Sequence, residues 1–61
     1  MKPKDATTGT RVRLTKQPRH DSVVEVGDIG VIEVADKTRA NLKMKKGDRK
    51  VTVELDGIEP I

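Results

Sequence analysis

The stretch Ala40-Asn41-Leu42-Lys43-Met44-Lys45-Lys46-Gly47-Asp48-Arg49-Lys50-Val51-Thr52-Val53-Glu54-Leu55 decides the fold. Ala40, Leu42 and Met44 alternate with Asn41, Lys43 and Lys45, and Val51, Val53 and Leu55 alternate with Thr52 and Glu54. Successive strand side chains point to opposite faces, so a period of two marks a strand with one face in a core and the other in water. Lys46-Gly47-Asp48-Arg49 supplies the turn between the two runs, with a glycine free to take a positive φ. The segment reads as a β-hairpin whose polar face carries lysine.

The same period recurs towards the N-terminus. Val12 and Leu14 alternate with Arg11, Arg13 and Thr15, which predicts a half-buried strand over 10–16. Residues 29–34 are β-branched apart from Gly30 and Glu33 and predict a second strand. Gly30 inside it points to a bend or bulge. Pro18 and Asp21 mark 17–22 as a loop. Val23, Val24 and Val26 are either a short strand or a loop folded back on the core. Asp56-Gly57 turns the chain again, and the isoleucines of Ile58-Glu59-Pro60-Ile61 are placed to pair with the first strand. Residues 1–8 are polar, contain Pro3 and show no period, so they are expected to form a flexible N-terminal arm.

Size and composition bound what such a chain can do. Its 61 residues make one domain, with sixteen Val, Ile, Leu and Met side chains between positions 12 and 61 for a core. A domain this short buries only about 60% of its unfolded surface, so an enclosed active-site cavity is not expected. No cysteine is present for a disulfide or a thiolate metal site. No apolar run approaches the roughly 18 residues of a membrane span, and the first ten residues lack the apolar segment of a signal peptide. A cytoplasmic location without membrane contact is the expectation. The chain has no Phe, Tyr or Trp. That removes base-stacking platforms, methyl-lysine cages and the aromatic grooves that hold polyproline ligands.

Gly9-Thr10-Arg11-Val12-Arg13-Leu14, then a variable loop, then Val26-Gly27-Asp28-Ile29-Gly30-Val31-Ile32, then Lys50-Val51-Thr52-Val53-Glu54-Leu55, resembles SH3-like small barrels. These include KOW-type modules of ribosome and transcription proteins, and small accessory subunits of photosystems and of ferredoxin–thioredoxin reductase. The resemblance covers residues 9–61 and rests on turn glycines and core valines, with Gly27-Asp28-Ile29-Gly30 as the turn into the second strand. It implies an all-β fold, a small SH3-like barrel of about five antiparallel strands, that serves as a binding module. Gly27-Asp28-Ile29-Gly30 lacks the Lys-Ser/Thr and the following helix of a phosphate loop and is read as a structural turn.

No catalytic constellation emerges, and no enzyme activity, cofactor or metal is expected. His20 is the only histidine and lies between Arg19 and Asp21 in the loop. A general base needs a partner that orients it, and sequence neighbours in extended chain point apart, so His20 reads as a solvated loop residue. One histidine cannot build a histidine-rich metal site.

Charge is arranged in blocks. Residues 1–20, 21–36, 37–50 and 51–61 carry net charges of +5, −5, +6 and −3, giving the chain its +3. The basic residues are Arg11, Arg13, Lys16 and Arg19 in one group, and Lys37, Arg39, Lys43, Lys45, Lys46, Arg49 and Lys50 in the other. Gathered on one face, they would attract phosphates or an acidic protein, with the acidic 21–36 block lying elsewhere. Lysine on a strand's polar face also guards an edge against pairing, which is the plain alternative.

Three functions follow as expectations. A KOW-like barrel would hold the RNA or DNA backbone through Lys and Arg, with Asn41, Gln17 and Thr15 as polar readers, weak sequence selectivity and strong salt dependence. A protein–protein adaptor or accessory subunit would dock an acidic partner, with the 17–27 loop setting specificity and Val23 and Val24 partly exposed. A homo-oligomer would gain stability by pairing edges or burying a face.

Overall fold

The computed structural model describes residues 1–18 and 23–61. The chain forms five antiparallel strands: β1 (Arg11–Leu14), β2 (Ile29–Ala35), β3 (Arg39–Met44), β4 (Lys50–Glu54) and β5 (Ile58–Pro60). Their order across the sheet is β4-β3-β2-β1-β5. It is a meander in which β5 returns to the far side of β1, an order compatible with an SH3-like barrel. The sheet is open, and β4 and β5 are its edges. Among the described residues no helix is long and apolar enough to cross a membrane.

The alternation in the sequence becomes the two faces of this sheet. Val12, Leu14, Ile32, Leu42 and Met44 are buried to 1% exposure or less, with Val51, Val53, Leu55 and Ile58 around them. Complete burial of one such side chain is worth about 1.5–3 kcal/mol. The cluster as a whole therefore outweighs any exposed ion pair, each of which contributes about 0–1 kcal/mol. Arg11, Arg13, Arg39, Asn41, Lys43, Lys50 and Thr52 lie on the opposite, solvated face.

The bulge lies three residues beyond Gly30. Ile32 pairs with Leu42 and Val34 with Asn41, so Glu33 is the extra residue. An inserted residue reverses the facing of everything after it. Val34 consequently turns to solvent, 55% exposed, and Ala35 turns back towards Ala40. Gly30 serves a different purpose. A Cβ there would sit 2.8 Å from Met44 Sδ and 3.2 Å from the Lys43 carbonyl oxygen. The glycine is needed because β2 and β3 pack a large core side chain against this backbone.

The turns are built locally. Gly47 (φ 71°) and Asp48 (φ 54°) are both left-handed, which tightens the β3–β4 connection into a 3-10 turn over Lys46–Asp48. Entering β2, Gly27 N donates to Leu14 O at 2.8 Å and Leu14 N donates to Asp28 O at 2.9 Å, joining the turn to the end of β1. The valines before it divide. Val24 is buried at 2% exposure, while Val23 is 52% exposed. The Gln17 amide donates to Val24 O at 2.6 Å and holds this segment against the end of β1. Residues 1–8 run beside the sheet, where Ala6 joins the core cluster and Met1 packs against it.

Candidate functional site

Cross-strand register sets which basic side chains are neighbours. Arg11 pairs with Val31, Val31 with Lys43, and Lys43 with Lys50. Arg11, Lys43 and Lys50 therefore stand in one row across the solvated face, with Val31 between them. Three strand spacings separate the ends of this row, about 14 Å. Lys45 and Lys46 extend the charge beyond Lys43 at the β3–β4 turn. Arg49 closes that turn, its carbonyl accepting from Met44 N at 2.6 Å.

Carboxylates interleave with these cations. Asp48 Oδ1 lies 3.3 Å from Lys43 Nζ, and Glu33 Oε1 lies 3.8 Å from Lys50 Nζ. Glu33 belongs to the acidic 21–36 block, and the bulge and strand order bring it beside Lys50 rather than away from the basic residues. No pattern in the sequence signals this contact, because it joins β2 to β4 across β3. Arg13, two residues along β1 from Arg11, donates from Nε to Glu59 Oε1 at 2.9 Å, and its other guanidinium arm also meets that oxygen. Lys16 Nζ contacts Asp56 Oδ2 at 3.3 Å. All of these pairs are exposed and easily exchanged. Among the described residues, Arg11, Lys37, Arg39, Lys45 and Lys46 make no ion pair.

The eleven basic positions, Lys50 in the row among them, are thus only partly gathered. Arg11 and Lys43 share the row, Lys45, Lys46 and Arg49 sit at its β3–β4 end, and Arg13 flanks it. Lys37 and Arg39 lie at the other end of β3, in and after the turn from β2. Lys16 sits with Asp56, beyond the end of β1. Arg19, like His20 and Asp21, lies outside the described residues. Of the polar candidates, Asn41 accepts from Thr52 Oγ1 at 2.8 Å on the solvated face. Thr15 is exposed just after β1. Gln17 is engaged with Val24 O.

The turn that presents Lys37 and Arg39 is organised by Asp36. Its Oδ1 accepts from Thr38 N at 2.8 Å and Arg39 N at 2.7 Å. These backbone donors, Thr38 first, hold the Asp36 carboxyl below its ordinary pKa of 3.8. The cause is turn structure, since the donors are spent on the turn itself.

An open groove of about 760 Å³ runs along the outer side of β4, bounded by Lys16, Gln17, Pro18, Thr52, Glu54 and Asp56 among others. Its charged lining is of both signs. Among the described residues no group of three His, Cys, Asp or Glu side chains is placed to hold a metal ion. No buried side-chain polar atom among them lacks a hydrogen-bond partner.

Compared with models of protein families, with curated proteins and with solved structures, the chain matches none.

Proposed function

We propose that this chain is a non-catalytic binding module whose solvated sheet face contacts nucleic-acid phosphates with weak sequence selectivity, in the manner of KOW-type barrels. The observation that carries this is the row of Arg11, Lys43 and Lys50, set by strand register and continued by Lys45 and Lys46. The row's length of about 14 Å matches about four base-pair rises of roughly 3.4 Å along a duplex axis. The carboxylates on Lys43 and Lys50 do not oppose this strongly. An exposed ion pair is worth at most about 1 kcal/mol, less than a charge-assisted contact to phosphate. With no aromatic side chain in the sequence, contacts fall on the backbone of the nucleic acid rather than on stacked bases.

Fluorescence anisotropy with mixed RNA and DNA, titrated across a salt series, tests this. Binding through phosphates weakens steeply with salt, whereas an affinity indifferent to salt removes the proposal.

A second function, docking of an acidic protein partner, is favoured by the exposure of Val23 and Val26 in the loop before β2. A loop on a rigid barrel that presents apolar side chains suits a protein contact. In that case nucleic acid fails to bind at low salt, and a Val23→Ser/Val26→Ser variant loses the protein partner.

A further inference from the structure

The two edges of the sheet are treated differently. β5 is three residues long, includes Pro60 with no N–H, and has the Met1 amine 3.5 Å from Ile58 O. Such an edge resists pairing. β4 is five residues long, has no proline, and pairs with β3 in unbroken register. Met44 N donates to Arg49 O and Leu55 N donates to Thr38 O at the two ends of that ladder. Hydrogen-bonded pairs in an antiparallel ladder fall on every second residue, so Val51 and Val53 spend their backbone groups on β3. The N–H and C=O groups of Lys50, Thr52 and Glu54 then point away from the sheet, towards the open groove.

We propose that this edge pairs antiparallel with β4 of a second copy of the chain, about a twofold axis at Thr52. The three residues with outward backbone groups are Lys50, Thr52 and Glu54, and only pairs of such residues can exchange both bonds. Centred on Thr52, Lys50 faces Glu54 of the second copy, Glu54 faces its Lys50, and the two Thr52 residues face each other. Opposite charges and paired threonines are favourable cross-strand partners. A parallel pairing in register would instead set lysine on lysine and glutamate on glutamate. The charges are available for this. Glu54 makes no ion pair among the described residues, and Lys50 reaches its own Glu33 only at 3.8 Å. A twofold contact of this kind is self-complementary and closes at two copies.

Sedimentation velocity over a concentration series, without nucleic acid, tests the interface independently of the phosphate-binding function. The wild type is expected to shift from 6.7 kDa to twice that mass as concentration rises. Lys50→Glu and Glu54→Lys each weaken dimerisation by about tenfold or more, because the twofold axis applies each like-charge clash twice. The double swap Lys50→Glu/Glu54→Lys restores it. Thr52→Pro abolishes it without disturbing the monomer's far-ultraviolet dichroism, since the N–H that proline removes points outward. A wild type that stays monomeric throughout, a single reversal that leaves the dimer unchanged, or a double swap that fails to restore it would each overturn the proposal.

Discussion

Lys43 and Lys50 stand directly opposite each other across β3 and β4, and each ammonium is held by a different carboxylate, Asp48 for one and Glu33 for the other. Like charges in direct cross-strand register repel. Here the turn and the bulged strand each provide a counter-charge, so the sheet tolerates two lysines side by side on its solvated face. Their side chains remain 49% and 72% exposed. The same arrangement that relieves the monomer leaves both amines accessible to a more strongly charged partner.

Removing one counter-charge should therefore strengthen phosphate binding. Glu33→Gln is expected to raise affinity for nucleic acid by roughly three- to tenfold at low salt. The change in unfolding free energy should stay within about 1 kcal/mol, since the lost pair is exposed. Anisotropy and urea unfolding on the same variant read the two effects. Unchanged affinity would mean that Lys50 is not in contact with phosphate.

The position of a cation in the fold, rather than its sign, should decide its effect on binding. Arg11→Ala removes a member of the row, and the slope of log affinity against log salt should become shallower by about 0.9. Lys37→Ala, in the turn at the other end of β3, should leave the slope where it was. Equal losses from the two variants would indicate a diffuse field with no defined face.

Gly30→Ala should destabilise the fold. The added methyl meets Met44 Sδ at 2.8 Å and the backbone oxygen of Lys43 at 3.2 Å. Flexible methionine can yield, but the carbonyl cannot without moving β3. A cost of about 1–3 kcal/mol follows from overpacking of this kind. Urea unfolding measures it as a lower midpoint with an unchanged m-value. A neutral result would show that the β2–β3 spacing is looser than these distances imply.

Acid should weaken the β2–β3 turn. The Asp36 pKa is lowered in the folded chain by hydrogen bonds from the Thr38 and Arg39 amides. A depressed carboxyl stabilises the fold above its unfolded pKa, and that contribution is lost as pH falls from the ordinary value of 3.8 through the lower folded one. Asp36→Asn retains an oxygen acceptor but no longer titrates, so its thermal midpoint should vary less with pH across this window than that of the wild type. Parallel pH profiles for the two proteins would contradict the assignment.

Much of the fold was legible in the sequence because burial follows a strict period. Val12 with Leu14, Leu42 with Met44, and Val51 with Val53 are all buried on the face their alternation indicated. Val34 obeys the same period from Ile32 yet faces solvent, because one inserted residue at Glu33 reverses it and Val34 pairs with Asn41. A glycine in the strand drew the expected irregularity to Gly30, where close backbone packing was the actual demand. The candidate face was legible only in part. Blocks of charge named the cations, but the neighbours of each depend on strand order. Lys37 and Lys43 belong to one block and lie at opposite ends of β3, while Arg11 and Lys43, far apart in sequence, share a row. The Glu33–Lys50 contact depends on the bulge and on β4 lying beside β3, and neither is written in the local sequence.

The most direct test of the account compares the wild type with a Lys43→Glu/Lys45→Glu/Lys46→Glu variant in a salt series of anisotropy titrations against mixed RNA and DNA. With about five phosphates neutralised, log affinity of the wild type for duplex DNA should fall with log salt at a slope near −4.5. The variant should lose binding while keeping the wild-type unfolding transition, since all three positions are exposed. No wild-type binding at low salt, or binding that the triple variant retains, would contradict a phosphate-contacting face and move the weight to an acidic protein partner.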